Sequence, residues 1–211
     1  MNELLIIGAG SGGRLIAEFI RQQENFKLIG FLDDNKALQG RKVNGLKVIG
    51  TSLNLKKFSS SGFVVSVGTN MRARESLFKK AVGAGLIPVN LIHSSAVIDK
   101  TATIGRGVII LPNSVVGPFS RIGDNSFIFS ACVIEHDCAL SDNVYLSPAV
   151  SLAGNVRISK NTFLGINSCV IQGLKIGSNA IVGAGSVVLK NIADNSVVCG
   201  VPARFLRKNN A

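Results

Sequence analysis

The amino-acid sequence predicts two domains of different fold class. An α/β, Rossmann-like half-domain is expected over residues 1–90, and an all-β parallel β-helix over residues 91–211. Two observations carry this prediction. Near the N-terminus, an apolar strand, a glycine-rich turn and an amphipathic helix follow one another. From Ile92 onward, an aliphatic residue recurs at every sixth position, which is the period of a hexapeptide β-helix.

The first element of the α/β domain is the segment LLIIGAGSGGRLIAEFIRQ. Gly8, Gly10 and Gly13 fit the pattern GxGxxG between the strand and the helix. Glycines at these places allow a tight turn and let a phosphate approach the helix N-terminus closely. The same turn also occurs where it serves only to pack a helix onto a strand, so both interpretations stay open.

The remaining elements of this domain extend the α/β pattern. A second strand, KLIGFLDD, ends at Asp33 and Asp34, where a dinucleotide fold places the carboxylate that binds a ribose hydroxyl. A third strand ends at Gly68, a helix is predicted over residues 71–84, and the short strand LIPVNLI leads out. About 90 residues are too few for a complete dinucleotide fold, so we expect half of one, able to hold a single nucleotide.

The six-residue repeat defines the second domain. Counting each aliphatic residue as the first place of a hexad, the fifth place holds a small or modest side chain and three prolines fall at the third place. Three hexads are expected to close one coil, with the aliphatic ladder pointing inward. The ladder positions are Ile92, Ile98, Ile104, Ile110, Val116, Ile122, Ile128, Ile134, Leu140, Leu146, Leu152, Ile158, Leu164, Val170, Ile176, Val182 and Val188.

Composition excludes several classes of function. The formal net charge of +11 is spread over both domains and suits small anionic ligands such as pyrophosphates. One Tyr, no Trp and no basic run interleaved with aromatics argue against a nucleic-acid partner. No apolar run approaches the roughly 20 residues of a membrane span. No signal-peptide pattern precedes LLIIGAG, so we expect a cytoplasmic protein with reduced thiols.

The stretch VIEHDC contains His136 between Glu135 and Asp137. His136 falls at the third place of its hexad, so the repeat places it on an outward turn. A histidine there, beside carboxylates, suits general-base catalysis near neutral pH. A solvated polar turn explains the same residues, and both interpretations stay open at this point. Cys132 and Cys138 fall at fifth places and are expected to be structural.

The second histidine gives no support for a metal site. His93 lies at the entry to the repeat and is expected to be structural or incidental. The two histidines show no HxH or HxxE spacing, so we predict no transition-metal centre.

Taken together, the motifs resemble those of a known family over nearly the whole chain. They are IIGAGSGGR, GFLDD, VNLIHSSA, VIEHDC, AGNVRI, FLGINSCVIQGLKIG, VGAGSVV and GVPAR. They resemble the nucleotide-sugar acetyltransferases of the hexapeptide-repeat superfamily: UDP-4-amino-sugar N-acetyltransferases of bacillosamine type, perosamine N-acetyltransferases and sialic acid O-acetyltransferases. The resemblance implies left-handed coils, acetyl-CoA as co-substrate and no metal.

The resemblance also implies roles for particular residues. His136 matches the catalytic base and Asp137 its polarising partner, with Glu135 as the alternative. A second set matches positions that bind the nucleotide sugar, and a third matches positions that contact acetyl-CoA in a groove between the subunits of a homotrimer. The second set is Gly10, Ser11, Gly12, Asp33, Asp34 and Gly68, and the third is Tyr145, Ile166 and Ala184.

Two departures from the family pattern leave the acceptor sugar open. The family usually has a histidine where this chain has Gly12, and often an asparagine where it has Phe129. The first hypothesis is an N-acetyltransferase acting on a nucleotide-linked 4-amino-4,6-dideoxy sugar. An O-acetyltransferase acting on sialic acid, a non-enzymatic scaffold, and the use of another acyl donor are the alternatives.

Overall fold

The fold was analysed in a computed structural model that describes residues 2–22 and 25–209. The chain forms two compact units, Met1–Asn90 and Leu91–Ala211. Each unit has its own hydrophobic core.

The N-terminal unit is built on a six-stranded sheet. Its strand order is β3-β4-β2-β1-β5-β6, and all neighbours are parallel except β3 and β4. Central strands β1 and β5 are almost entirely buried, as expected for a parallel sheet covered on both faces. The strands are β1 (Asn2–Ile7), β2 (Phe26–Leu32), β3 (Lys42–Val43), β4 (Leu46–Gly50), β5 (Gly62–Val65) and β6 (Ile87–Pro88).

Two α-helices pack on this sheet. Helix α1 (Ser11–Arg21) follows the glycine turn and buries Ile16, Phe19 and Ile20, which recur at helical spacing. Helix α2 (Met71–Gly83) begins at the cap Asn70, whose side chain accepts a hydrogen bond from a backbone N–H of the first turn. The predicted α/β half-domain is therefore confirmed.

The sequence missed the smaller elements of this unit. The β3–β4 hairpin and two 3-10 helices, Lys36–Leu38 and Ser52–Phe58, were not predicted. The prediction of a single strand LIPVNLI was wrong. Ile87–Pro88 pairs with β5, whereas Leu91–Ile92 pairs with a strand of the second unit, because the chain leaves one sheet and enters another between them.

The second unit is a parallel β-helix. Each of seventeen two-residue strands ends in one of the seventeen predicted ladder residues, so the six-residue prediction is confirmed. The strands are β7 (Leu91–Ile92), β8 (Val97–Ile98), β9 (Thr103–Ile104), β10 (Ile109–Ile110), β11 (Val115–Val116), β12 (Arg121–Ile122), β13 (Phe127–Ile128), β14 (Val133–Ile134), β15 (Ala139–Leu140), β16 (Tyr145–Leu146), β17 (Ser151–Leu152), β18 (Arg157–Ile158), β19 (Phe163–Leu164), β20 (Cys169–Val170), β21 (Lys175–Ile176), β22 (Ile181–Val182) and β23 (Val187–Val188).

Successive coils stack in a register of three hexads. Ile134 pairs with Val116 in the preceding coil and with Leu152 in the following one. The ladder is buried from Ile110 to Val188, and each such aliphatic side chain contributes roughly 1.5–3 kcal/mol by leaving water. Strands β24 (Ser196–Cys199) and β25 (Arg204–Lys208) extend one of the three sheets, and they pair with each other antiparallel.

The fourth place of most hexads is a left-handed turn. From residue 107 to residue 185, every fourth-place residue has a positive φ between 54° and 75°. Asparagine and glycine, which tolerate this conformation, occupy most of these places. The exceptions are Phe119, Ala131, Asp137 and Ala149. Within residues 2–22 and 25–209, no helix is long and apolar enough to cross a membrane.

Candidate active site

The glycine turn between β1 and α1 fits closely against the end of β5. A Cβ on Gly12 would lie 2.5 Å from the carbonyl oxygen of Ser66, so a side chain here requires a different backbone path. Gly10, by contrast, has no heavy atom within 4 Å of its Cβ position and is exposed, as is Ser11. The turn therefore offers open space at Gly10 and Ser11, and none at Gly12.

Buried polar groups hold the strand ends around this turn. Ser66 Oγ donates to the carbonyl oxygens of Gly8 at 2.8 Å and Ile7 at 3.1 Å. Arg74, which is fully buried, donates from Nη1 to the carbonyl oxygens of Val65 at 2.7 Å and Val67 at 3.2 Å. The guanidinium thus fixes the segment that leads to Gly68. The sequence analysis did not single out Ser66 or Arg74.

The two predicted carboxylates at the end of β2 already accept hydrogen bonds within the unit. Asp33 accepts from the backbone N–H of Ala9 at 2.7 Å and of Asn35 at 2.8 Å. Asp34 accepts from the backbone N–H of Ser52 at 2.7 Å and from its hydroxyl at 2.9 Å. Asp33 therefore ties the glycine turn to β2, and Asp34 holds the start of a 3-10 helix.

These carboxylates line a cavity of about 160 Å³ at the carboxyl ends of the strands. This is the edge where open α/β sheets bind ligands. Of the predicted substrate-binding residues, the cavity brings together Asp33 and Asp34. Gly68 follows β5 and has no heavy atom within 4 Å of its Cβ position. The other lining residues are Ile7, Gly8, Leu32, Ser52, Val67 and Leu77.

In the second unit, His136 and Asp137 form a hydrogen-bonded pair on an outward turn. Nδ1 of the imidazole lies 2.9 Å from Oδ2 of the carboxylate, and both side chains are about half exposed. When Nδ1 carries the proton and donates it to the carboxylate, Nε2 presents its lone pair. Asp137 has a φ of 58°, and its N–H donates to the carbonyl of Pro118 in the preceding coil. The left-handed turn thus aims the carboxylate back at the ring.

Glu135 does not take part in this pair. Its backbone N–H donates to Leu152, and its carbonyl accepts from the hydroxyl of Ser120 at 2.7 Å. Across the residues that the structure describes, no hydrogen bond joins the Glu135 carboxylate to the imidazole. The geometry therefore favours Asp137 as the partner of His136.

The imidazole of His136 lies over Gly154, one coil further along. A Cβ on Gly154 would lie 2.5 Å from both Cε1 and Nε2 of the ring. The missing side chain leaves the space that the ring occupies. The sequence analysis did not identify this residue, although Gly154 follows His136 by three hexads, which is the predicted length of one coil.

The predicted acetyl-CoA positions fall in two different environments. Ile166 and Ala184 each occupy the third place of a hexad, in consecutive coils at one corner. Both residues are exposed. The N–H of Gly185 donates to the carbonyl of Ile166 at 2.7 Å. Tyr145, however, lies on a sheet face with only 8% of its surface exposed, so at most a small part of its surface is accessible.

Tyr145 belongs to an aromatic stack along the sheet that contains β13, β16 and β19. Its ring centroid lies 5.3 Å from those of Phe127, Phe129 and Phe163, and Phe127 stacks on Phe129 at 4.5 Å. This stack explains what Phe129 and Phe163 pack against. It also shows that the Phe129 departure replaces a polar amide with a ring held by its neighbours.

The remaining candidate groups make local contacts within the β-helix. Cys132 and Cys138 point inward, and their Sγ atoms lie 3.2 Å from carbonyl oxygens. Burial raises the pKa of the Cys132 thiol to about 11 and also raises the pKa of Cys138, so neither suits a nucleophile. His93 Nδ1 accepts from the N–H of Ser95 in a local turn. The described part of the chain contains no group of three or more His, Cys, Asp or Glu that could hold a metal ion.

Two domain families match this chain. Residues 3–81 match the PglD N-terminal domain, and residues 155–190 match the hexapeptide repeat of succinyl-transferase. Among curated proteins, the GDP-perosamine N-acetyltransferase of Escherichia coli O157:H7 is 32% identical over 145 residues, 63% of this chain and 64% of the relative. The UDP-N-acetylbacillosamine N-acetyltransferase of Bacillus subtilis (strain 168) is 33% identical over 114 residues, 53% of this chain and 52% of the relative.

The alignments thus span less than two thirds of the length of either curated relative. A solved structure is similar over almost the whole chain. PerB from Caulobacter crescentus, in complex with CoA and GDP-perosamine, is 34% identical, with a TM-score of 0.90 and 98% coverage of both chains. This agreement confirms the left-handed β-helix that the resemblance implied.

Proposed function

Because the chain belongs to the hexapeptide-repeat family of nucleotide-sugar N-acetyltransferases, we propose that it transfers the acetyl group of acetyl-CoA to the amino group of a nucleotide-linked 4-amino-4,6-dideoxy sugar. The observation that carries the proposal is the His136–Asp137 pair. Its imidazole is fixed through Nδ1 at 2.9 Å, and its Cε1–Nε2 edge lies against Gly154. That arrangement gives a general base with one defined basic atom.

The proposed reaction is a direct transfer without an acyl-enzyme. Nε2 of His136 takes a proton from the sugar amine while the nitrogen attacks the thioester carbonyl carbon. The C–N bond forms, the C–S bond breaks, and the imidazolium returns the proton to the departing CoA thiolate. The Asp137 carboxylate stabilises the imidazolium between these two steps. A backbone N–H at a turn is expected to stabilise the tetrahedral oxyanion. The buried thiols of Cys132 and Cys138, with raised pKa values, are consistent with the absence of a covalent intermediate.

The N-terminal unit is proposed to bind the nucleotide. The cavity at the strand ends, lined by Asp33 and Asp34, supports a site for the nucleoside, and the open space at Gly10 and Ser11 supports an approach of the pyrophosphate to helix α1. Gly12 and Gly68 are assigned to the walls of this site. Gly12 contributes a close backbone fit rather than a side-chain contact.

Acetyl-CoA is proposed to follow the corner that carries Ile166 and Ala184. The turn places these residues one coil apart, and the exposed side chain of Ile166 supports contact with an extended ligand along the helix axis. Tyr145 contributes at most its accessible edge. The four free cysteines support action in a reducing compartment such as the cytoplasm.

A homotrimer with acetyl-CoA between subunits is part of the proposal. The sheet that contains β8, β11, β20 and β23 carries exposed apolar side chains on or beside its outer face, at Val97, Val115, Ile171 and Leu189. Flat faces of this kind can pack around a threefold axis. Light scattering coupled to size exclusion should give three times the chain mass of 22.2 kDa. A monomer mass would contradict the shared site.

A transfer assay tests the activity. Purified protein is mixed with acetyl-CoA and GDP-, UDP- or dTDP-linked 4-amino-4,6-dideoxy sugars, and product is followed by mass spectrometry. We expect N-acetylation of at least one sugar and a loss of roughly 10²- to 10⁴-fold in His136→Asn. His93→Asn, which changes the other histidine, should keep wild-type rates. Acetylation of a sialic acid hydroxyl instead, or acetyl-CoA binding without turnover of any sugar, would overturn the proposal.

A further inference from the structure

Phe119 occupies a backbone conformation that is unfavourable for its side chain. It lies at the fourth place of a hexad with a φ of 59°, where most other hexads have asparagine or glycine. A bulky aromatic residue in this region is a conformational outlier. The residue is 61% exposed, so burial in the chain core does not explain its presence. Strained residues of this kind tend to cluster at functional sites.

Phe119 lies one coil before Asp137, on the same edge of the β-helix. The N–H of Asp137 donates to the carbonyl of Pro118 at 2.9 Å, and the N–H of Phe119 donates to Thr101 Oγ1 at 2.9 Å. Stacked strands are roughly 4.8 Å apart. One coil before His136 lies Pro118, which is followed by the exposed Phe119, and one coil after His136 lies Gly154.

An exposed phenyl ring on the turn next to the base's coil offers an apolar surface to the substrate. On a 4-amino-4,6-dideoxy sugar, the carbon next to the reacting C4 carries a methyl group. This is the apolar substituent nearest to the amine that His136 would deprotonate. The common 6-hydroxy sugars have a hydroxymethyl group at the same place, which loses hydration against a phenyl ring without a compensating hydrogen bond.

We propose that Phe119 is a specificity-determining residue, which contacts the methyl group on C5 of the sugar and favours 6-deoxy over 6-hydroxy acceptors. This inference rests on the proposed N-acetyltransferase function. In that view the strained turn is retained because it aims the ring at the substrate, whereas most other turns of this kind carry asparagine or glycine.

The test compares two acceptors that carry the same nucleotide, one a 4-amino-4,6-dideoxy sugar and the other its 6-hydroxy counterpart. We expect wild-type protein to prefer the 6-deoxy acceptor about tenfold in kcat/KM. Phe119→Asn should lower this preference to near unity, mainly through a higher KM for the 6-deoxy sugar, with the KM for acetyl-CoA unchanged. Phe119→Leu, which keeps an apolar side chain, should retain part of the preference.

Ala131→Asn is the matched control, because Ala131 has the same φ of 59° and is exposed. Phe119→Asn and Ala131→Asn should both raise the melting temperature, but only Phe119→Asn should change the acceptor preference. An unchanged preference in Phe119→Asn overturns the assignment, and so does a fall in molecular mass, which would show that the ring packs between subunits. If wild-type protein acetylates neither acceptor, the proposed function fails and the inference fails with it.

Discussion

Gly154 lies against the imidazole of His136, so close that a methyl group on residue 154 would stand 2.5 Å from both Cε1 and Nε2. The imidazole is therefore positioned by two contacts of opposite kind. The Asp137 carboxylate holds Nδ1, and the bare backbone of the next coil leaves room for Nε2.

Gly154→Ala should displace the ring and weaken its bond to Asp137. We expect kcat to fall about 100-fold, because a shift of about 1 Å in a catalytic group has effects of this size. The free energy of unfolding should change by less than about 1 kcal/mol, since the clash is with a half-exposed side chain that can move into solvent. Gly83→Ala, where a Cβ would meet nothing within 4 Å, is the control. Steady-state kinetics measure the change in kcat, and urea unfolding measures the change in stability. An unaltered kcat in Gly154→Ala would show that the contact between Gly154 and the His136 ring does not position the imidazole.

The flanking acids should differ sharply in importance. Asp137→Asn removes the charge that stabilises the imidazolium, so kcat should fall roughly 10²- to 10⁴-fold with little change in KM. Its melting temperature should stay the same or rise, because asparagine tolerates the φ of 58°. Glu135→Gln should keep nearly wild-type kinetics. The reverse order of these two losses in kcat would identify Glu135 as the partner.

Arg74→Met should destabilise the N-terminal unit. The carbonyls of Val65 and Val67 would lose their bonds to the guanidinium, and we expect a loss of roughly 2–4 kcal/mol in the free energy of unfolding. The KM for the nucleotide sugar should also rise, because the segment before Gly68 is released. Arg72→Met, on the exposed side of the same helix, should stay within about 0.5 kcal/mol of wild type. Equal unfolding midpoints for the two variants would show that the hydrogen bonds of Arg74 to Val65 and Val67 do not stabilise the unit.

The stability of the β-helix should fall at high pH because of Cys132. Burial raises the pKa of its thiol from 9.0 to about 11, so the unfolded chain ionises first. Below pH 9 the thiol is protonated in both states, and the stability is at its full value. Above pH 9 ionisation lowers the free energy of the unfolded state but not that of the folded state, so stability falls until pH 11. Between pH 8 and pH 10, the free energy of unfolding of wild type should fall by about 1 kcal/mol more than that of Cys132→Ser. If the free energy of unfolding depends on pH identically in wild type and in Cys132→Ser, ionisation of Cys132 is not the cause.

The β-helix could be predicted almost completely from the sequence because its core is one row of aliphatic residues that repeats along a single axis. Each ladder residue, from Ile92 to Val188, ends its strand in the same way, and those from Ile110 onward are buried, so a single period fixes strands, faces and most of the burial. The α/β unit was predicted less fully. Its hairpin and 3-10 helices depend on local capping, as at Thr51 and Asn54, rather than on a periodic apolar pattern.

The site could be predicted only as far as its residues follow the repeat or the family pattern. His136 and Asp137 could be predicted as a candidate pair because they stand at turn places beside a ladder residue. Arg74 was missed because no pattern distinguishes one buried guanidinium from the other basic residues of the chain. Gly154 and the left-handed fourth places could have been found, since the three-hexad coil aligns Gly154 with His136 and asparagine recurs at the fourth place.

Because three hexads close one coil, each hexad added to the chain turns it by about a third of a circle around the axis of the β-helix. An insertion of one hexad between His136 and Ile166 would turn the later residues by about 120°, and would carry Ile166 to a different corner while leaving every ladder residue inside. An insertion of three hexads would restore the corner and lengthen the distance along the axis by one coil. The repeat therefore allows the distance between the base and the proposed acetyl-CoA contacts to change only in whole coils, provided that their angular relation is kept.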